Sequence, residues 1–325
     1  MISFGISGSF RLEVRDGDTN EIVEVREFDN LILDTGLNGY GSGLNGNVDR
    51  CWVGSSAREP TPSDLRLDSP IAYGNHIYKY GGEPFTYGTA PDYVSSLEKE
   101  YRFGVGVAAG TLSEIGLSTN AAHDQAVFWC RCLIRNDAGE PEPLVVTSNN
   151  SLYVFYTIRM HPELGDKTFS FDFDGVTYNC TARPAKIGQA RPGGGESSIN
   201  VSSGIEVLEV YNGGTLGPIT GSIINYNSSQ GINDYYTGVP TAQPYVQNSF
   251  YRDYSQPFPL DYANLEGGID GVRIEWRGAG NYWASGGQLC YFTQVKFDKP
   301  IPKDKTNSFR LMLRTSWHRW EDPNA

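Results

Sequence analysis

The sequence lacks long hydrophobic runs and any signal for membrane insertion or export. Its longest apolar runs, such as residues 152–156, hold only a few residues, whereas a membrane-spanning helix needs about 20. The first residues also lack the basic segment followed by an apolar stretch that marks a secretory signal. We therefore expect no membrane insertion and no export directed by this N-terminus.

Cysteine is scarce, and its spacing is unlike that of a metal site or a disulfide framework. No two cysteines form a CxxC motif, and none is matched by histidines at zinc-finger spacing. Two of them stand two residues apart in a strand-like run and should share one sheet face. The sequence predicts reduced, partly buried thiols and no metal site. The five cysteines are Cys51, Cys130, Cys132, Cys180 and Cys290.

Basic residues are fewer than acidic ones. The chain has 38 acidic and 26 basic residues and a formal net charge of −12. Such a chain is repelled by phosphate backbones and anionic lipid unless its positive charge is clustered. The glycine-containing segment 104–110 does not complete a GxGxxG motif, and the sequence contains no P-loop. We predict no cofactor and no nucleic-acid partner.

Turn-forming and aromatic residues are abundant. The 38 glycines, 18 prolines and 13% aromatic residues favour short strands joined by turns. Phe10, Leu12 and Val14 alternate with charged residues on one side of a turn at residues 16–20, and the other side alternates likewise, which predicts a hairpin. No apolar period of 3.6 residues persists for twelve residues. The predicted fold class is all-β, with two antiparallel β-sandwich-like units and long Gly/Pro/Tyr-rich loops.

A break in the pattern near residues 161–166 predicts two domains, at residues 1–163 and 164–325. A weak repeat supports this division. A strand that begins at Asn150 ends near His161, and another that begins at Asn307 ends near His318, which suggests two similar halves. Within the second half, the Gly/Pro/Ser-rich segment near 183–204 predicts a mobile loop, and the segment 226–262 predicts a Tyr-rich loop.

Motifs that could carry catalysis are incomplete. Asp34-Thr35-Gly36 is similar to an aspartic-protease loop, but that chemistry needs two such loops, so we expect a turn or the start of a short helix. Residues 16–20 match the first ligands of a calcium loop, yet Glu21 stands where that loop needs glycine, which favours a hairpin turn.

Two further catalytic possibilities remain without positive support. No histidine accompanies a GxSxG nucleophile motif, so we predict no enzyme. A glycosidase carboxylate pair leaves no spacing signature in a sequence. The candidates for such a pair are not distinguished from surface charges; they are Asp172, Asp174, Glu206 and Glu209.

The segment 226–262 is the first candidate for an interaction surface. It holds seven tyrosines among Asn, Ser, Gln, Gly and Pro, and tyrosine offers rigid contact area with a polar tip. The alternatives are contact with another subunit or a glycan, and packing against the protein's own fold. The candidate contact residues are Tyr226, Tyr235, Tyr236, Tyr245, Tyr251 and Tyr254.

The C-terminal segment 295–320 is the second candidate, because it carries seven basic and two acidic residues in an acidic chain. Such polarity suits packing against an acidic neighbour. Contact with nucleic acid and a merely solvated strand face are the alternatives. Arg310 and Arg314 should share the polar face of a strand, opposite leucines. The candidate contact residues are Lys303, Lys305, Arg310 and Arg314.

The first 165 residues or so resemble the β-rich structural proteins of tailed-bacteriophage tails, of the baseplate, tail-fibre or tail-tip kind. The segments that carry the resemblance are FDNLILDTGL, CWVGSSAREPTPSDLRL, YRFGVGVAAGTLSEIGLS and VFWCRCLIRNDAGEPEPLVVTSNNSLYVFYTIRMHP. The resemblance implies a homo-oligomer, or a subunit bound to other virion tail proteins, that is assembled in the host cytoplasm and located in the tail. It implies no catalytic residue.

We therefore expect a phage tail structural protein whose role is assembly through protein–protein contacts. A receptor- or glycan-binding module that uses the Tyr-rich segment 226–262 is the first alternative. A glycan depolymerase with two loop carboxylates is the second.

Overall fold

The fold, seen in a computed structural model, confirms the all-β prediction: 57% of the residues are in strands and 5% in helices. Within the described part of the chain, no helix is both long enough and apolar enough to cross a membrane. The structure describes residues 2–42, 48–77, 85–86, 91–187, 201–213, 215–217, 232–279 and 290–321.

Twenty-one strands and two short helices make up the described fold. The helices are α1 (Asp34–Ser42) and a 3₁₀ helix at His123–Gln125. The strands are β1 (Ile2–Asp16), β2 (Ile22–Asp29), β3 (Leu31–Ile32), β4 (Arg50–Gly54), β5 (Pro70–His76), β6 (Phe85–Thr86), β7 (Ser95–Phe103), β8 (Gly110–Leu112), β9 (Glu114–Ser118), β10 (Phe128–Leu133), β11 (Leu144–Val146), β12 (Asn150–Pro162), β13 (Lys167–Phe173), β14 (Val176–Ile187), β15 (Val201–Gly213), β16 (Ile232–Gly238), β17 (Thr241–Ala242), β18 (Tyr251–Phe258), β19 (Ile269–Ala279), β20 (Cys290–Ile301) and β21 (Phe309–Arg319).

These strands form two large sheets and one small one. The first sheet has thirteen strands, in the order β17-β18-β21-β1-β12-β7-β5-β4-β9-β10-β3, with β2 added to β1 and β6 added to β7. The second sheet has six strands, in the order β13-β14-β20-β19-β15-β16. Strands β8 and β11 form a separate pair. Nearly all pairings are antiparallel, and the exception is β1 with β21.

The predicted hairpin at the start of the chain is confirmed as β1 and β2, with Phe10 opposite Phe28. Its turn is closed by Asp16, whose carboxylate accepts hydrogen bonds from the backbone N–H groups of Asp18 and Thr19 at 3.0 and 2.9 Å. These bonds lower the pKa of Asp16. The Asp16 carboxylate therefore stabilises the hairpin turn. A turn was the structure favoured by the sequence, because Glu21 stands where a calcium loop needs glycine.

The predicted division at residue 163 differs from the strand order. The chain does leave the first sheet between β12 and β13, but β17, β18 and β21 return to that sheet. The two strands of the weak repeat are both neighbours of β1: Gly5 lies opposite His161 of β12 on one side and opposite His318 of β21 on the other. The physical reason is the length of β1, whose 15 residues need partners along both edges.

The two predicted loops of the second half are partly strands. Within 183–204, β14 continues to Ile187 and β15 begins at Val201; residues 188–200 lie outside the described residues. The Tyr-rich segment 226–262 was expected to be one long loop, which is wrong, because it contains β16, β17 and β18. Tyrosine fits a half-buried pleated strand well, and this preference prevails over the surrounding Asn and Ser residues.

The cysteine prediction is confirmed for the four whose side chains are described: Cys51, Cys130, Cys132 and Cys180 are free and buried. Burial raises the pKa of the Cys130 thiol to about 12, so this thiol stays protonated at neutral pH. The side chain of Cys290 lies outside the described residues.

Candidate interaction site: an apolar cleft between the sheets

A cavity of about 390 Å³ lies between one face of the second sheet and strand β21. We call it the inter-sheet cleft. Alternate residues of the edge strand β13 point into it, since side chains at i and i+2 share one sheet face. Cavities of this size, with apolar walls and a few polar groups, are typical of binding sites. The cleft is lined by Phe169, Phe171, Asp172, Phe173, Ala182, Val272, Ile274, Val295, Phe297 and residues 309–314.

One end of the cleft is closed by aromatic rings. The rings of Phe173 and Phe309 meet edge to face with their centroids 5.7 Å apart, and Phe258 stacks on Phe309 at 5.2 Å. At the other end, the positive charge of Lys167 lies close enough to help lower the pKa of His318, after the larger effect of burial. Strands β13 and β21 therefore run in opposite directions on the two sides of the cleft.

Both strands that border the cleft have an open edge. Strand β13 is paired with β14 alone among the described strands. The segment Phe309–Arg314 of β21 is paired with β18 on one side, whereas β1 reaches β21 only from Thr315 onward. No other described strand covers these edges. Open edges present backbone N–H and C=O groups that can pair with a strand from another chain.

Two arginines, Arg310 and Arg314, lie at the mouth of the cleft. Arg310 is exposed and forms no ion pair with any described residue, and Met312 beside it is 57% exposed. Arg314 lies 3.7 Å above the ring of Tyr251 and donates two hydrogen bonds to Asp253, at 2.7 and 2.8 Å. These bonds lower the pKa of Asp253, which stays ionised and holds Arg314 in place.

The structure distributes the tyrosines named in the sequence analysis. Tyr254 is buried in the core, and Tyr251 lies beneath Arg314. Tyr245 donates a hydrogen bond to the side chain of Asn38 in α1 at 2.7 Å. Tyr226 lies outside the described residues, as do the side chains of Tyr235 and Tyr236 in β16. The described tyrosines of this set thus pack against the protein's own fold.

The basic candidates separate into three environments. Arg310 and Arg314 share one face of β21, on the side opposite Leu311 and Leu313, and both border the cleft. Lys305 is exposed in the turn before β21 and does not line the cleft. Lys303 is buried, and burial lowers its pKa.

Replacing Lys303 with alanine is expected to destabilise the loop before β21. The Lys303 ammonium donates to Asn264 Oδ1 at 2.7 Å and to the carbonyl oxygens of Asp304 and Leu260 at 2.9 and 3.4 Å. We expect a loss of about 1.5–3 kcal/mol in the free energy of unfolding, because hydrogen bonds to a charged group are lost. Chemical denaturation measures this loss. Lys305→Ala is the control, and an equal effect of both changes would contradict the structural role.

Of the carboxylates considered for glycoside hydrolysis, Asp172 and Glu209 lie too far apart to form a pair. Asp172 is on β13 and Glu209 is on β15, and three strands of the second sheet separate them. At about 4.8 Å per strand this is a separation of roughly 19 Å, beyond the ~10 Å limit for such pairs. Glu209 is bound to Arg273 at 3.0 Å, and Asp174 has a positive φ in a turn. The side chain of Glu206 lies outside the described residues.

The protease-like motif begins a helix, as expected. Asp34 is the first residue of α1 and forms an ion pair with Arg319. The Thr35 hydroxyl donates to the carbonyl oxygen of Phe128 at 2.6 Å. Both side chains therefore fasten α1 to the first sheet.

The phenylalanines of β13 were not predicted from the sequence as site residues. Phe169, Phe171 and Phe173 alternate with polar residues, and this alternation predicts a strand with one apolar face. The rest of that sheet's wall, including Val272, Ile274 and Val295, comes from strands about 100 residues further along the chain, and the opposite wall comes from β21.

No protein-family model, no curated protein and no solved structure matches this chain. The fold itself defines an all-β protein with two large sheets and an apolar cleft between them.

Proposed function

We propose that this protein is a structural subunit of a bacteriophage tail and works by binding other protein chains, its own copies included, without covalent chemistry of its own. The observation that carries the proposal is the inter-sheet cleft, which combines apolar walls, two open strand edges and the exposed Arg310 at its mouth. The resemblance of the first half to tail proteins supports the assignment to a tail.

The form of the cleft suits a protein partner better than a glycan. Its walls are mainly Phe, Val, Ile and Leu side chains, whereas sugars need many hydrogen-bonding groups. The open edges of β13 and β21 offer the backbone pairing that an added strand uses. The glycan-binding alternative depended on tyrosines, and Tyr245, Tyr251 and Tyr254 are engaged within the fold.

Sedimentation velocity of the full chain over a range of concentrations tests this function. We expect a defined oligomer, and we expect Met312→Glu at the mouth of the cleft to weaken association at least about tenfold, as for a central contact residue. Leu65→Glu is the matched control, since Leu65 is also exposed, at 60%, but lies outside the cleft. A wild-type protein that remains a monomer at every concentration contradicts the proposal.

A further inference from the structure

The hairpin of β1 and β2 has the properties that an occupant of the inter-sheet cleft would need. Strand β2 is paired with β1 alone among the described strands, so its outer edge is open. Its apolar side chains face solvent: Ile22 is 49%, Val23 62% and Val25 39% exposed. Exposed β-branched residues on an open edge strand invite pairing with another strand.

The hairpin is acidic. Residues 16–27 carry five acidic residues and one basic residue. The basic residue, Arg26, is already paired with Glu24 and Glu142 at 2.5 and 3.3 Å. Glu21, directly before β2, is exposed and forms no ion pair with the described residues.

The cleft presents one positive charge with no ion pair among the described residues, that of Arg310, because Arg314 is already paired with Asp253. Residues 309–314 include Arg310 and Arg314 and no acidic residue. Asp172 is the acidic residue of the lining, and it accepts a hydrogen bond from the hydroxyl of Thr177 at 2.5 Å. Charge complementarity of this kind selects a partner and its orientation more than it adds affinity.

The hairpin of one chain cannot reach the cleft of the same chain. Strand β1 is parallel to β21, with Ile2 opposite Thr315, so the cleft residues Phe309–Arg314 lie beyond the first residue of β1. The hairpin turn lies beyond the last residue of β1, Asp16. Fourteen residues at about 3.3 Å each place the two features roughly 45 Å apart, at opposite ends of the same strand.

We propose that the inter-sheet cleft receives the β1–β2 hairpin of a second copy of this chain, in a head-to-tail contact. The open edge of β2 lies against the open edge of β21, Val23 and Val25 cover the apolar walls, and Glu21 faces Arg310. The contact joins two different surfaces, so it repeats from copy to copy and builds a ring or a filament. This inference rests on the proposed function and specifies its partner.

A complementation experiment tests the occupant. Met312→Glu blocks the cleft, and Val23→Glu blocks the hairpin; both residues are exposed, so both variants should fold. We expect each variant alone to associate at least about tenfold more weakly than wild type in sedimentation velocity. An equimolar mixture should form heterodimers, because it contains one intact cleft and one intact hairpin.

Charge exchange provides the second measurement. Arg310→Glu should weaken association, and adding Glu21→Arg to the same chain should restore most of it, since the pair is then reversed. Lys305→Glu is the matched control, because it makes the same change in net charge outside the cleft.

The outcomes separate the two proposals. If wild type associates and Met312→Glu weakens it, but the mixture forms no heterodimer and Glu21→Arg rescues nothing, the hairpin is not the occupant and the proposed function stands. If wild type never associates, the proposed function fails and the head-to-tail contact fails with it.

Discussion

Replacing Arg131 with alanine is expected to lower the free energy of unfolding by about 3–5 kcal/mol, the typical cost of removing one partner from a buried ion pair. Arg131 is fully buried in β10, and its guanidinium donates to Glu114 at 3.0 Å, to Asp68 at 2.8 Å and to Asp64. Glu114 is also fully buried, so the alanine variant leaves a buried carboxyl group without its hydrogen-bonding partner.

The same network fastens the segment between β4 and β5 to the first sheet. Glu114 accepts hydrogen bonds from the backbone N–H groups of Ser69 and Asp68 at 2.7 and 3.2 Å. Arg58 adds bonds to Asp68, at 2.6 and 2.9 Å. Loss of Arg131 should therefore also loosen residues 55–69, which amide hydrogen exchange would detect.

The Arg131→Ala variant should be less sensitive to acid than wild type. The hydrogen bond from Arg58, together with Arg131, lowers the pKa of Asp68 to about 2. A carboxyl with a lowered pKa stabilises the fold above its unfolded pKa of about 3.9, and this contribution is lost as the pH falls through about 2. The Arg131→Ala variant should lose less stability than wild type over that window.

Urea denaturation followed by circular dichroism measures the change. Arg135→Ala is the matched control: Arg135 pairs with Glu59 at 2.9 Å near the protein surface, where such pairs contribute about 0–1 kcal/mol. Arg131→Lys should be intermediate, since lysine keeps the charge but lacks the planar fork that reaches three carboxylates. Equal losses for Arg131→Ala and Arg135→Ala would mean that the network does not hold the fold.

Local alternation was enough to predict much of the fold. The hairpin of β1 and β2 is visible in sequence because its two strands are joined by five residues and both alternate. The polar face of β21, with Arg310 and Arg314, was readable for the same reason. The start of α1 at Asp34 was readable from its turn-forming residues.

The partner of a strand was not predictable, because a period of two residues identifies a strand and leaves its neighbour undetermined. Gly5 of β1 lies opposite His318 of β21, more than 300 residues away along the chain. The Asn-to-His pattern does occur twice in the sequence, but only the structure shows that both strands with this pattern pair with β1. The cleft was hidden for the same reason, since β13 and β21 meet only in the folded chain.

The second large effect is expected from Trp317 in β21, which tests whether the C-terminal strand belongs to the core of the N-terminal half. Trp317 is 1% exposed, and its indole N–H donates to the carbonyl oxygen of Leu37 in α1 at 2.9 Å. Its ring lies 5.0 Å from that of Tyr40, which in turn meets Phe4 of β1 at 5.7 Å. One C-terminal side chain thus joins α1 and β1.

The packing around Trp317 leaves little room for adjustment. A Cβ atom added at Gly41 of α1 would lie 2.4 Å from the Trp317 ring, so the helix approaches the indole as closely as glycine allows. The ring of Tyr245 stacks on that of Trp317, with the ring centroids 6.0 Å apart. A truncated side chain would leave a cavity that these rigid neighbours cannot fill.

We therefore expect Trp317→Ala to destabilise the protein by about 3–5 kcal/mol, as large buried aromatic residues do when truncated. Because Trp317 contacts residues of both halves, unfolding by urea should remain a single transition that moves to lower denaturant concentration. Met312→Ala on the same strand is the control, with an expected effect within about 0.5 kcal/mol for an exposed residue. A second, unshifted transition in Trp317→Ala would contradict this expectation. It would mean that residues 1–163 fold as an independent unit whose core does not need β21.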